Sequence, residues 1–243
     1  MFGFMTSSYV DAGSAGAAPD SPSRLHTYAT VADIDFPAFG AENVQILLQR
    51  DSGEDGVTKW DLTSNDEGDQ VWRGTVEGSS WSAFRVKKNV YATKGKIEEA
   101  LLDVNVILKL DEMTESFEIL HVADKDGKLS LRHSVSKGVF PVAARDFVVV
   151  TKSEELADGR LVVASRSLNL LEVEPIEGIV RGQNIITGYI VVEKQDANGA
   201  VYCEVTLIAH ADLKGYIPAS VVSMLGTSST AKVLSVLKAH LEK

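Results

Sequence analysis

The second half of the chain alternates apolar and polar residues between tight-turn signals, and this pattern constrains the fold more than any other feature. Candidate strands are "FEILHVA", "KLSLRHSVS", "RDFVVVTKS", "RLVVASRSL", "GIVRGQNIITGYIVVEK" and "AVYCEVTLIAHA". The links "DKDGK", "LADG" and "DANG" set Asp or Asn beside Gly, the chemistry of hairpin turns. Strands joined by successive hairpins form an antiparallel sheet. In the last strand Val201, Cys203, Val205, Leu207 and Ala209 share one side. Tyr202, Glu204, Thr206 and His210 share the other, and Ile208 breaks the pattern. Such alternation predicts one buried face.

Two further strands, "DQVWRGTVEG" and "WSAFRVKKNVYAT", meet through Gly78-Ser79-Ser80. Helical patterning is weak from Arg24 to Arg50, where "AENVQILLQR" is clearest. It returns in "KGKIEEALLDVNVILKLDEM", which Asp103 and Asn105 divide into two short helices. After the turn Asp212-Leu213-Lys214-Gly215 it runs from Pro218 to the end. That terminal helix carries Val222, Leu225, Val233 and Val236 as an apolar stripe, with Ser229 in the gap. The stripe needs a cover, and the apolar face of the sheet supplies one. "GTSST" in mid-helix has two readings. Small side chains leave room for a ligand and weaken the helix, or a short turn separates two helices. Without strand–helix–strand alternation the class is α+β, which argues against a Rossmann-type cofactor site.

A chain of 243 residues with 44% hydrophobic and 24% charged residues can bury a core without staples. The single cysteine, Cys203, excludes an internal disulfide framework. Residues 1–23 are small, polar and Gly/Ala/Ser-rich and read as a mobile tail, leaving 24–243 as one domain. No run approaches the roughly 18 apolar residues of a membrane span. The expectation is a cytoplasmic monomer. A net charge of −10 without Lys/Arg clusters argues against nucleic acid as a partner. No nucleophile elbow, Walker loop or dinucleotide fingerprint occurs. His121, His133 and His210 lack metal-ligand spacing. Cys203 belongs to the apolar face of its strand. Neither catalysis, a cofactor nor a metal is expected.

Four segments occur in order: "FPVAARDFVVV", "VVASRSL", "GIVRGQNIITGYIVV" and "ADLKGYIPASVVSML". Together they resemble the START family of lipid-transfer domains, with the similarity running from about Gln70 to Leu241. The resemblance implies a helix-grip fold, a curved antiparallel sheet wrapped around the C-terminal helix with an internal lipid tunnel. It implies a non-enzymatic carrier of one phospholipid, sterol or fatty-acyl lipid that touches membranes transiently. A lipid sensor that recruits a partner, or an enzyme using the same cavity, are the other readings. Tunnel positions are Arg132, Asn184, Val205, Leu207, Ala209, Leu213, Val222, Leu225, Ser229 and Val233. Val139, Phe140 and Pro141 would form a gate loop, while Arg145 and Asp146 pin that loop to its strand.

The family's sterol carriers place an acid and a base inside the tunnel. The matching positions here hold Arg132 and Thr151. An inward Arg132 asks for a phosphate or carboxylate, favouring a phospholipid or other anionic lipid over cholesterol. A one-residue slip would instead place it in water.

Overall fold

The computed structural model describes residues 25–66, 69–140, 142–215, 217 and 219–243, with residues 66 and 219–229 described in backbone only. The tail assigned to residues 1–23, Pro141, and the side chains of Val222, Leu225 and Ser229 lie outside the described residues. Strands are β1 (Thr27–Tyr28), β2 (Thr58–Asp66), β3 (Asp69–Val76), β4 (Ala83–Val90), β5 (Thr114–Val122) and β6 (Leu129–Ser136). Then follow β7 (Arg145–Glu155), β8 (Leu161–Ser167), β9 (Asn169–Leu170), β10 (Val180–Arg181), β11 (Gln183–Gln195) and β12 (Val201–Asp212). Helices are α1 (Phe36–Ser52), α2 (Lys94–Leu102), α3 (Val104–Leu110) and α4 (Ala219–Leu241).

The main ladder runs β2-β3-β4-β12-β11-β8-β7-β6-β5 and is antiparallel throughout. It curves around α4 in the expected helix-grip arrangement. Two short parallel pairs, β1 with β9 and β10 with β7, depart from the all-hairpin expectation. "GIVRGQNIITGYIVVEK" is correspondingly two strands. They part at Gly182, where a Cβ would run into the Phe147 ring.

Both faces of the sheet centre are buried, which corrects the one-face expectation. α1 begins where Asp35 accepts a hydrogen bond from the Ala38 amide, and it ends at Gly53 in the left-handed conformation. It lies on the outer face, where Val44, Ile46 and Leu47 pack with Val162, Ala164, Ile186, Ile190 and Ile208. Ile208 broke the alternation because it meets this helix. Gly188 lets the helix approach, since a Cβ there would strike Leu47 and the Val163 carbonyl. Polar pins fix the seat. Asn43 donates to the Val150 carbonyl at 2.9 Å, and Arg166 donates to Asn43 at 2.9 Å while pairing with Glu42.

The inner face receives α4, which is continuous through "GTSST". Among the described side chains of α4 the buried residues are Thr230, Leu234 and Leu237, so from residue 230 onward the buried line is one step from the predicted Val233 and Val236. Leu234 and Leu237 pack with Val86, Val90, Val205 and Leu207, and Val233 and Val236 flank them, half-buried. Between β4 and β5, Asp103 ends α2 and caps α3 by accepting from the Asn105 amide at 2.7 Å, dividing the segment as expected. β2 was not among the predicted strands. It is a polar edge strand whose Trp60 donates to the Arg50 carbonyl, with Arg85 at 4.9 Å from the Trp60 ring and 4.1 Å from Trp72.

Two stability predictions follow from these contacts. Gly188→Ala lowers the free energy of unfolding, read by urea titration, by about 1–3 kcal/mol through overpacking against α1. His210 is buried, with Nε2 at 3.1 Å from Ser79 Oγ. Burial and the nearby Arg50 push its pKa down from 6.5 to about 4, against opposing effects of the Trp81 backbone, Asp55 and Asp212. The unfolded chain therefore binds a proton that the folded one refuses. Stability from this group is complete above about pH 6.5 and drains as pH falls toward 4, by on the order of 3 kcal/mol. His210→Asn flattens that part of the pH–stability curve.

Candidate functional site

A cavity of about 370 Å³ remains between the inner sheet face, α3 and α4. Its apolar wall includes Leu101, Ile107 and Leu110 from the two short helices, Phe117, Phe147, Val149 and Leu207 from the sheet, and Val233 from α4. Strand register then supplies a polar band. Ser130, Thr151, Ser165, Thr187 and Ala209 are direct neighbours across β6, β7, β8, β11 and β12. Thr151 and Ser165 share a hydrogen bond of 2.7 Å, and Thr187 donates to Asn184 at 2.8 Å. Asn184 in turn donates to the Ser165 carbonyl at 3.3 Å. The band largely satisfies itself, as buried polar groups in a fold must.

Arg132 lies beside this band and lines the cavity, with 3% of its surface exposed. Its Nε donates to Ser130 at 2.8 Å, and the guanidinium carbon lies 5.8 Å from the centre of the Phe117 ring. Among the described residues its Nη2 has no hydrogen-bond partner and no carboxylate pairs with it. Burial alone lowers its pKa to about 10, so it is cationic at neutral pH. Thr151, at the position of the family's base, also lines the cavity. The acid–base pair of a sterol carrier is absent from these two positions.

The other predicted tunnel residues divide by location. Asn184, Leu207, Ala209 and Val233 line the cavity. Val205 is in the core cluster beneath the C-terminal half of α4. Leu213 is half-buried in the turn after β12, outside the lining, where its carbonyl accepts from Arg145. Ser165, Phe117 and the wall from α3 escaped the sequence reading. The first two follow from strand register, whereas the docking of α3 leaves no local signal.

Val139 and Phe140 are 44% and 97% exposed. The loop is narrowed by paired backbone hydrogen bonds between Val139 and Val142, of 2.9 and 2.7 Å. Arg145 ties this loop to the entry of α4. It donates to the Ala143 carbonyl, to Leu213 at 3.1 Å and to Lys214 at 3.1 Å. Asp146 faces the other way, accepting from Arg181 at 2.9 Å and meeting His133 at 2.9 Å. Burial pushes its pKa up, but Arg181 and His133 outweigh that and hold it below the usual carboxylate value. His121 stacks on Phe36 at 5.2 Å. Among the described residues no cluster of His, Cys, Asp and Glu could hold a metal, and no helix is long and apolar enough to cross a membrane. Cys203 is buried and donates to the Ala92 carbonyl, and burial raises its pKa to about 11.

The START domain family model matches residues 41–243, and the chain belongs to that family of lipid-binding and lipid-transfer domains. The match begins inside α1, earlier than the Gln70 expected from the motifs. Human StAR-related lipid transfer protein 6 is 18% identical over 193 residues, covering 78% of this chain and 84% of its own. An uncharacterised Pseudomonas aeruginosa protein is 23% identical over 184 residues, or 76% of this chain and 87% of its own. Human StAR-related lipid transfer protein 5 has the same fold, with a TM-score of 0.69 at 20% identity over 85% of this chain and 98% of that one. So does a StAR-related lipid transfer protein from Xanthomonas axonopodis, with a TM-score of 0.61 at 24% identity over 76% and 99% of the two chains. START domains bind lipids and are generally not enzymes.

Arg145→Ala releases both the loop and the turn. Hydrogen exchange at the Val139 and Val142 amides then quickens about tenfold or more, since hydrogen bonds from a charged donor contribute about 1.5–3 kcal/mol each.

Proposed function

We propose that this chain is a monomeric, cytoplasmic, non-enzymatic carrier that holds one anionic lipid in the cavity and moves it between membranes. The observation that supports anionic cargo over cholesterol is the buried Arg132, whose Nη2 lacks a partner beside a polar band that largely satisfies itself. A guanidinium taken out of water is costly until an anion meets it. A sterol hydroxyl is neutral and leaves the charge unbalanced. A ligand phosphate or carboxylate supplies both acceptors and charge.

The physics of carriage is shielding and release. Each methylene moved from water into the cavity gains about 0.8 kcal/mol, so a long chain is held firmly while its carrier crosses water. Exchange needs an opening. The loop at residues 139–144 and the turn before α4 adjoin the cavity end lined by Phe147 and Ala211, and Arg145 fastens both. Phe140 offers the apolar side chain that a membrane would take up, and its uptake would release the fastened loop. Loop and α4 together form the gate.

Two measurements test this reading. Native mass spectrometry and lipid extraction on purified protein show one anionic lipid per chain, and Arg132→Ala lowers its retention without unfolding the domain. Phe140→Asp slows transfer between vesicles about ten- to a hundredfold, the rate equivalent of losing one buried Phe side chain at about 1.5–3 kcal/mol. A protein that retains no lipid and transfers none overturns the proposal.

A further inference from the structure

We infer that, within the carrier reading on which this rests, the cargo is a long-chain monocarboxylic acid whose carboxylate docks on Arg132. Three observations narrow the class. The first is capacity. At about 370 Å³ the cavity stands near the lower end of ligand sites, which span about 300–1,000 Å³. That space suits one tail. Two acyl chains with a glycerol headgroup exceed it.

The second is charge balance. Arg132 is the cation of the described lining, which contains neither Lys nor His. Asp111 is the carboxylate of that lining, and its oxygens already accept from the Met113 amide at 2.9 Å and Thr114 Oγ1 at 3.2 Å. Its carboxylate forms no ion pair with Arg132 among the described residues, and burial lowers the Arg132 pKa. One guanidinium neutralises one negative charge. A phosphate monoester carries about −1.5 to −2 at neutral pH and would leave part of it uncompensated inside the cavity.

The third is the shape of the vacant valence. Nε is committed to Ser130 and Phe117 lies near the guanidinium, so what remains is the planar edge around Nη2. A planar carboxylate matches such an edge and adds no further headgroup to accommodate. Thr151, Ser165, Thr187 and Asn184 bond to one another or to the backbone and call for no polyhydroxyl head.

The test is a binding panel on delipidated full-length protein, with oleate, oleyl alcohol, oleoyl-lysophosphatidate, cholesterol, and vesicles of dioleoyl-phosphatidylglycerol. Oleate is expected to bind one per chain, about ten- to a hundredfold tighter than the alcohol of the same length, as one charged hydrogen-bonded contact provides. Arg132→Gln is expected to erase that ratio while circular dichroism and the thermal midpoint show a folded domain. Equal binding of acid and alcohol by the wild-type protein overturns the inference whatever the variant does. So does tighter binding of the lysophosphatidate, or extraction of the diacyl lipid or cholesterol in preference to oleate. Those last results would leave the carrier reading standing, whereas failure to bind any member of the panel would remove both.

Discussion

A continuous ladder of antiparallel strands whose centre is apolar on both sides demands two covers, and the architecture follows from how they differ. The outer cover, α1, lies close because Gly188 removes a Cβ and because Asn43 and Arg166 bind it to β7 and β8. The inner cover is split. The C-terminal half of α4 seals the sheet at Val86, Val90 and Val205. Further along, the inward side chains become Thr151, Ser165, Thr187 and Ala209, too short to reach across to the helices. The hollow lies over this stretch of smaller side chains.

The buried arginines show how the fold ordinarily treats a guanidinium. Arg50 has Asp55 and Thr58, and Arg166 has Glu42, Asn43 and the Phe39 ring. Arg145 has three carbonyls. Arg132 has a single serine and an aromatic ring 5.8 Å away. The departure is confined to the cavity wall, where a missing partner can be brought in with the cargo. A purely structural arginine at that depth is costly without a fixed acid or a full set of acceptors.

Much of this was legible in the sequence, because alternation and turn chemistry are local. The hairpins, the double helix broken at Asp103 and the terminal helix follow from residues near one another. Arg132, Asn184, Leu207 and Ala209, taken from strand and motif positions, and Val233, taken from the helix stripe, all line the cavity. What resisted reading depends on distant neighbours. Ile208 looked anomalous until α1 was laid over it, and the centre of α4 fell at Leu234 and Leu237 because the nearest strand is β4. β2 has little apolar signal since it is an exposed edge. The wall formed by Ile107 and Leu110 exists only once α3 has docked.

The seam between β4 and β12 joins Phe84–Val90 to residues Cys203–Ala209, pairing segments from opposite ends of the domain. Closing so long a loop costs entropy before any contact repays it. On a ribosome, β2, β3 and β4 emerge early and wait as a separate meander until β12 is synthesised. The cavity lining is also finished last, by Leu207, Ala209 and Ala211 of β12 and by Thr230 and Val233 of α4. The interior offered to cargo is therefore complete only when the last strand and helix are in place.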